Sequence, residues 1–135
     1  MKQSRREYLI ACGAGMLSGL SGCFASESRS TPIKITELYI NNLDDTSYKV
    51  DVLIQEKGDI IYWKTVSVDP RDGRHAGGAV LHDYPKKSGY YTVVAKRSGG
   101  SYVKLNIAKF ESSCCKVVPQ IDKKGQLDII YSTGC

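Results

Sequence analysis

Two adjacent runs of the chain, Ser47–Gln55 and Ile60–Val68, are rich in β-branched and aromatic residues, and the first alternates apolar and polar residues with a period of two. In the first, Tyr48, Val50, Val52 and Ile54 fall on one side, and Lys49, Asp51 and Gln55 on the other. A helix cannot present such a pattern as one apolar face, whereas a half-buried antiparallel strand does so directly. The short turn Lys57-Gly58-Asp59 between the runs makes them a hairpin. The same rhythm continues elsewhere. Strands are expected over 33–41, 90–97, 101–110, 115–121 and 126–132, with a short one at 79–83. Ser98-Gly99-Gly100 and Asp122-Lys123-Lys124-Gly125 supply two more hairpin turns. Long helical periodicity is absent. Seven or eight short strands separated by turns predict an all-β domain, an immunoglobulin-like antiparallel β-sandwich over 33–135, with a small barrel as the alternative. Pro119 interrupts one expected strand and places it at a sheet edge or a bulge.

The N-terminal residues carry a different message. Ser4-Arg5-Arg6-Glu7-Tyr8-Leu9 is followed by a weakly apolar stretch with three glycines, and then by Leu20-Ser21-Gly22-Cys23 with a fourth. A basic start, a short apolar segment and small residues before a cysteine form a signal peptide in the usual order. Residues 10–22 are too short for a membrane-spanning helix, which needs about 20 apolar residues. The arginine pair, Arg5 and Arg6, matches the twin-arginine (Tat) export pattern, and Cys23 sits where a lipid would be attached. The arrangement resembles the Tat-exported lipoproteins of halophilic archaea, which join such a signal to a small extracytoplasmic β-domain. That resemblance implies a signal peptide over 1–22, a lipidated Cys23 with a polar Ser/Thr-rich tether over 23–32, and a protein on the extracytoplasmic face of the cell membrane.

Removing residues 1–22 from the 135 leaves 113, enough for one domain with one core. The same cut removes Lys2, Arg5, Arg6 and Glu7, lowering the formal charge from +5 to +3. So weak a positive charge suits anionic glycans, lipid headgroups or acidic cell-wall layers and gives no argument for nucleic acid.

With Cys23 lipidated, Cys114, Cys115 and Cys135 remain, which allows one disulfide in an oxidising compartment. Strand parity selects the pair. Cys115, Val117, Pro119 and Ile121 share one side of the first strand of the last hairpin; Leu127, Ile129, Tyr131 and Cys135 share one side of the second. A one-residue slip would turn Asp128 inward, so Ile121 should lie opposite Leu127. Cys115–Cys135 is therefore the expected disulfide, with Cys114–Cys135 as the alternative and a strained Cys114–Cys115 bond behind both.

No residue set marks a catalytic site. There is no G-x-S-x-G elbow and no phosphate loop, and Cys114 has Lys116 but no histidine near it in sequence. His75 and His82 with the thiols match no metal-ligand spacing, and the only methionines, Met1 and Met16, lie in the signal. No metal or other cofactor is expected. The stronger signal is aromatic. Eight tyrosines after residue 30 and Trp63 can fill half-buried strands, and any that face outward can stack on sugars or meet a protein. The loop over 69–78, with Arg71, Arg74 and His75, is the expected contact surface, joined by Lys86 and Lys87. The expectation is a non-enzymatic, lipid-anchored binding or scaffold domain whose partner is a surface protein or an anionic glycan. The alternative is an accessory subunit of a membrane transport or secretion assembly, with a thiol/histidine metal-binding or redox protein a further one.

Overall fold

A computed structural model describes residues 31–135. The twin arginines Arg5 and Arg6, Cys23 and the tether through residue 30 lie outside the described residues. The chain forms β1 (Lys34–Asn42), β2 (Tyr48–Glu56), β3 (Asp59–Val68), β4 (Gly77–Val80), β5 (Tyr91–Arg97), β6 (Val103–Asn106), a 3-10 turn (Ile107–Lys109), β7 (Cys114–Ile121) and β8 (Leu127–Thr133). Two four-stranded sheets result, in the orders β4-β1-β7-β8 and β3-β2-β5-β6. Their inner faces supply one core, in which Ile35, Ile40, Val52, Ile54, Val93 and Val117 are all but sealed from solvent. The all-β sandwich expected from the alternation is present, with eight strands.

The three expected hairpins form. β2 turns into β3 through Lys57 and Gly58, both at positive φ (52° and 84°), the conformation that matches the right-handed twist of a hairpin. Ile61 is an extra residue on β3, between the pairs Ile54–Tyr62 and Gln55–Ile60. β7 and β8 pair with Ile121 opposite Leu127, the register that the apolar parity requires. β6 ends early because the Asn106 side chain accepts a hydrogen bond from the Ala108 N–H (3.1 Å) and starts the 3-10 turn. β4 begins at Gly77 rather than residue 79, since the backbone runs so close to β1 there that a Cβ at Gly78 would strike the Ile40 carbonyl oxygen.

Three expectations fail. The sandwich is not wholly antiparallel, because β1 and β7 pair in parallel. Pro119 lies on neither an edge strand nor a bulge: β7 is internal, with β1 parallel on one side and β8 antiparallel on the other. The ladder to β1 skips from Leu38–Val117 to Asn41–Gln120, so the missing proline N–H falls in a gap of the pairing. The bulge in this sheet is on β1 instead, at Thr36.

The disulfide is also not Cys115–Cys135. It joins Cys114 to Cys135, with a Cα–Cα distance of 5.3 Å. Parity holds down to Thr133, which lies opposite Cys115, but β8 stops there. Gly134 has a φ of 114° and donates its N–H to the Cys114 carbonyl (3.0 Å), so the chain turns and Cys135 arrives beside Cys114. Cys115 is left as a thiol inside the core, and burial pushes its pKa up to about 11.

Asn42, the buried polar side chain of the core, holds one end of the sandwich. It donates to the carbonyls of Thr46 (2.8 Å) and Asp69 (3.1 Å) and accepts from the Asp44 N–H (3.0 Å). At the other end, Thr31 bonds to the Ala108 and Phe110 carbonyls, so the last residues of the expected tether are already tied to the domain.

Candidate functional site

Strand alternation puts a second set of side chains on the outside of each sheet, and there the two sheets differ. On β2, Val50, Val52 and Ile54 enter the core, so Lys49, Asp51, Leu53 and Gln55 point outward. On β5, Val93 and Ala95 enter the core, so Thr92, Val94 and Lys96 point outward. Register then sets four residues in a row across the sheet: Trp63 on β3, Leu53 on β2, Val94 on β5 and Lys104 on β6. Leu53 and Val94 are only 8% and 3% exposed although they face away from the core, while Trp63 at the sheet edge is 63% exposed. Directly opposed side chains in such rows lie close enough to pack on one another.

Polar rows flank this apolar one. Thr65, Asp51 and Lys96 form one row, in which the Thr65 hydroxyl donates to the Asp51 carboxylate. Gln55, Thr92 and Asn106 form the other, which ends on β3 in Ile60, 51% exposed. Lys96 stands over the ring of Tyr102, with Nζ 5.1 Å from its centroid, and Tyr102 is itself 58% exposed just before β6. Lys49, Lys96 and Lys104 face outward against the single acid Asp51, and none of the three enters a salt bridge among the described residues.

The outer face of the other sheet also has an apolar row. Val80 lies opposite Tyr39, and Val118 opposite Ile130, with Tyr39 on β1 next to Val118 on β7. Its flanking polar groups satisfy each other. Lys116 pairs with Glu37 at 2.9 Å, and Asn41 donates to the Gln120 amide oxygen at 3.3 Å. Glu37 raises the Lys116 pKa by hydrogen bond and charge.

The expected contact loop does not assemble. Arg71 is committed to structure: its guanidinium holds Asp45 (3.0 Å), and its N–H donates to the Asp44 carbonyl (2.8 Å). Arg74 and His75 are exposed on a tight turn closed by paired Asp72–His75 backbone bonds. That loop sits at the C-terminal end of β1. Lys86 and Lys87 belong to the loop held at the N-terminal end, where Gly89 bonds to Ile33 and the Tyr84 hydroxyl to the Thr36 carbonyl. Lys86 lies over the Tyr84 ring (3.2 Å), and Lys87 lends its carbonyl to the Tyr91 hydroxyl. The strand length of β1 therefore separates the two halves of the expected surface. His82 lines an open groove of about 350 Å³ with Tyr39, Val80, Tyr84 and Lys86. Among the described residues no three His, Cys, Asp or Glu side chains gather as a metal-binding group.

Two further clusters were not evident in the sequence. The loop after β4 straps the β3 edge, where Asp83 accepts from the Tyr62 hydroxyl (2.9 Å) and pairs with Lys64 (3.3 Å). The Tyr62 hydrogen bond holds the Asp83 carboxyl below its ordinary pKa, and burial together with Asp83 raises that of Tyr62. At the end near Asn42, the Tyr48 hydroxyl donates to Asp44, while Arg97 stacks 5.0 Å from the Tyr48 ring and donates to the Gly125 carbonyl. The Asp44 bond raises the Tyr48 pKa, so this phenol stays protonated and acts as a donor rather than a base. Outward apolar residues at Leu53 and Val94, breaking the polar side of otherwise regular alternation, were the one sequence signal for the Trp63 row.

No protein-family model matches the chain, and no curated protein matches it. The chain is structurally similar to a protein from Eubacterium rectale solved by NMR, at 12% identity and a TM-score of 0.36, over 81% of this chain and 94% of that one.

Proposed function

We propose that the chain is a lipid-anchored, extracytoplasmic binding domain that meets a cell-surface partner with the outer face of the β3-β2-β5-β6 sheet. The Tat-type signal over 1–22 carries it out, lipid on Cys23 holds it to the membrane, and the sandwich presents the contact face. The observation that carries the reading is Trp63, 63% exposed at the end of a row whose next two members are apolar and covered. Exposed tryptophans beside a packed apolar floor are where binding energy concentrates, because the indole offers a large rigid surface with little entropy to lose. The immunoglobulin-like class is the finer fold reading. It is supported by three hairpins shared between the sheets and four passages of the chain from one sheet to the other, but a fold of this kind lends no function of its own.

The test is made in the native host. Cys23→Ser should move the full chain from the membrane to the soluble fraction. Trp63→Ser should leave it in the membrane but release it from any larger surface complex, and Val80→Ser, on the opposite outer face, should change neither. Membrane retention of the Cys23→Ser chain would overturn the anchor, and a Trp63→Ser chain still held in the complex would overturn the contact face.

A further inference from the structure

We infer that the partner of the Trp63 face is an acidic polysaccharide, stacked on Trp63 and paired with Lys96 and Lys104; the inference rests on the contact face proposed above. Shape is the first argument. Leu53 and Val94 are almost fully covered by their neighbours, so the floor of the row is closed and offers no open socket for a protruding side chain. An extended polymer laid across the strands fits such a floor. From β3 to β6 is three strand spacings, roughly 14 Å, which accommodates a short run of sugar rings.

Chemistry is the second. The apolar faces of sugar rings stack on aromatic side chains, and Trp63 and Tyr102 stand exposed at opposite sides of this face. Gln55 and Thr92 border the row with amide and hydroxyl groups suited to sugar hydroxyls, and the Asn106 amide N–H groups remain beside them. Charge is the third. Three outward lysines oppose one aspartate, and that aspartate is already engaged by Thr65. The ligand complementary to this face is therefore an anion as well as a sugar. A bilayer surface would also attract the lysines, and Ile60, 51% exposed beside Trp63 on β3, could enter it, so lipid vesicles are the competing ligand in the test.

The experiment uses the full chain with Cys23→Ser, so that no lipid masks the readout. It is titrated with polygalacturonate, with neutral dextran, and with vesicles of equal parts phosphatidylcholine and phosphatidylglycerol. Polygalacturonate should bind, more weakly as salt rises, and dextran at least tenfold more weakly. Trp63→Ala should reduce polygalacturonate affinity about tenfold. The double variant Lys96→Gln with Lys104→Gln should do the same and flatten the salt dependence. These lysines are on the surface, so that variant keeps the test decisive if Trp63→Ala does not fold. Val80→Ser should stay within about twofold of the parent. Equal affinity for dextran, indifference to the lysine pair, or binding to vesicles alone would overturn the inference. If polygalacturonate does not bind while Trp63→Ser still empties the surface complex in the host, the polysaccharide is wrong and the contact face stands. If both fail, the face itself is wrong.

Discussion

The two outer faces of the sandwich are built alike and finished differently. Each has one apolar row crossing its sheet, with a covered residue near the centre: Val118 on one, Leu53 and Val94 on the other. On the Val118 face the neighbouring polar groups close on each other, Lys116 with Glu37 and Asn41 with Gln120. On the Trp63 face Lys49, Lys96 and Lys104 have no carboxylate partner among the described residues, and the row ends in an exposed indole. Burial at the centre of a row is thus a matter of sheet stability, common to both faces. What distinguishes a surface able to recognise something is the rim, where polar groups are either satisfied within the molecule or left for a partner.

The strongest way to sharpen the contrast is to weaken one sheet alone. Cys135→Ser opens the clasp from β7 to the chain end, 21 residues apart, and should cost about 3 kcal/mol in urea denaturation. Partner binding through Trp63 should persist in the fraction that stays folded. Loss of binding in folded protein would mean that the sheets do not act separately. Next in size are the covered row centres. Leu53→Ala should destabilise by about 2 kcal/mol and Val118→Ala by about 1 kcal/mol. A change near zero at Leu53 would show that the row on the Trp63 face is not packed at all. The exposed row ends should matter less to folding. Trp63→Ala and Val80→Ala are each expected to shift stability by under about 1 kcal/mol, with only the former altering binding.

The smallest effects are electrostatic, and they run in opposite directions with pH. Glu37 raises the folded pKa of Lys116. Its contribution is therefore complete below the unfolded lysine value of about 10.4 and disappears as pH rises through the folded one. Tyr62 lowers the folded pKa of Asp83. That contribution is complete above the unfolded value of about 3.9 and disappears as pH falls through the folded one. NMR titration should find Lys116 deprotonating later than a free lysine and Asp83 protonating later than a free aspartate. Ordinary midpoints would show that neither pair is held.

Much of this fold was legible because strands and hairpins are local. Alternation located the β2–β3 and β7–β8 hairpins, and the need to keep Asp128 out of the core placed Ile121 opposite Leu127. Parity failed at the one residue exempt from it, Gly134, whose positive φ carries Cys135 to Cys114. The place of Pro119 is not legible locally, because its tolerance depends on which β7 pairs are made across to β1, a strand about eighty residues away in the chain. The candidate site was legible only in part. Trp63 stood out as an aromatic, but its row needed the registers of four strands. Arg71, Arg74 and His75 share their charge with Lys86 and Lys87 but not their place, because β1 separates the two loops. Charged loop residues announce exposure, not company.

The most direct test places a photo-reactive benzophenone side chain in the full chain in its native host, at Thr65 beside Trp63 and, separately, at Val80. Both positions are exposed, and they lie on opposite outer faces. The account predicts a defined cross-linked product from position 65 and none from position 80. Cross-linking from position 80 alone, or equally from both, would contradict it.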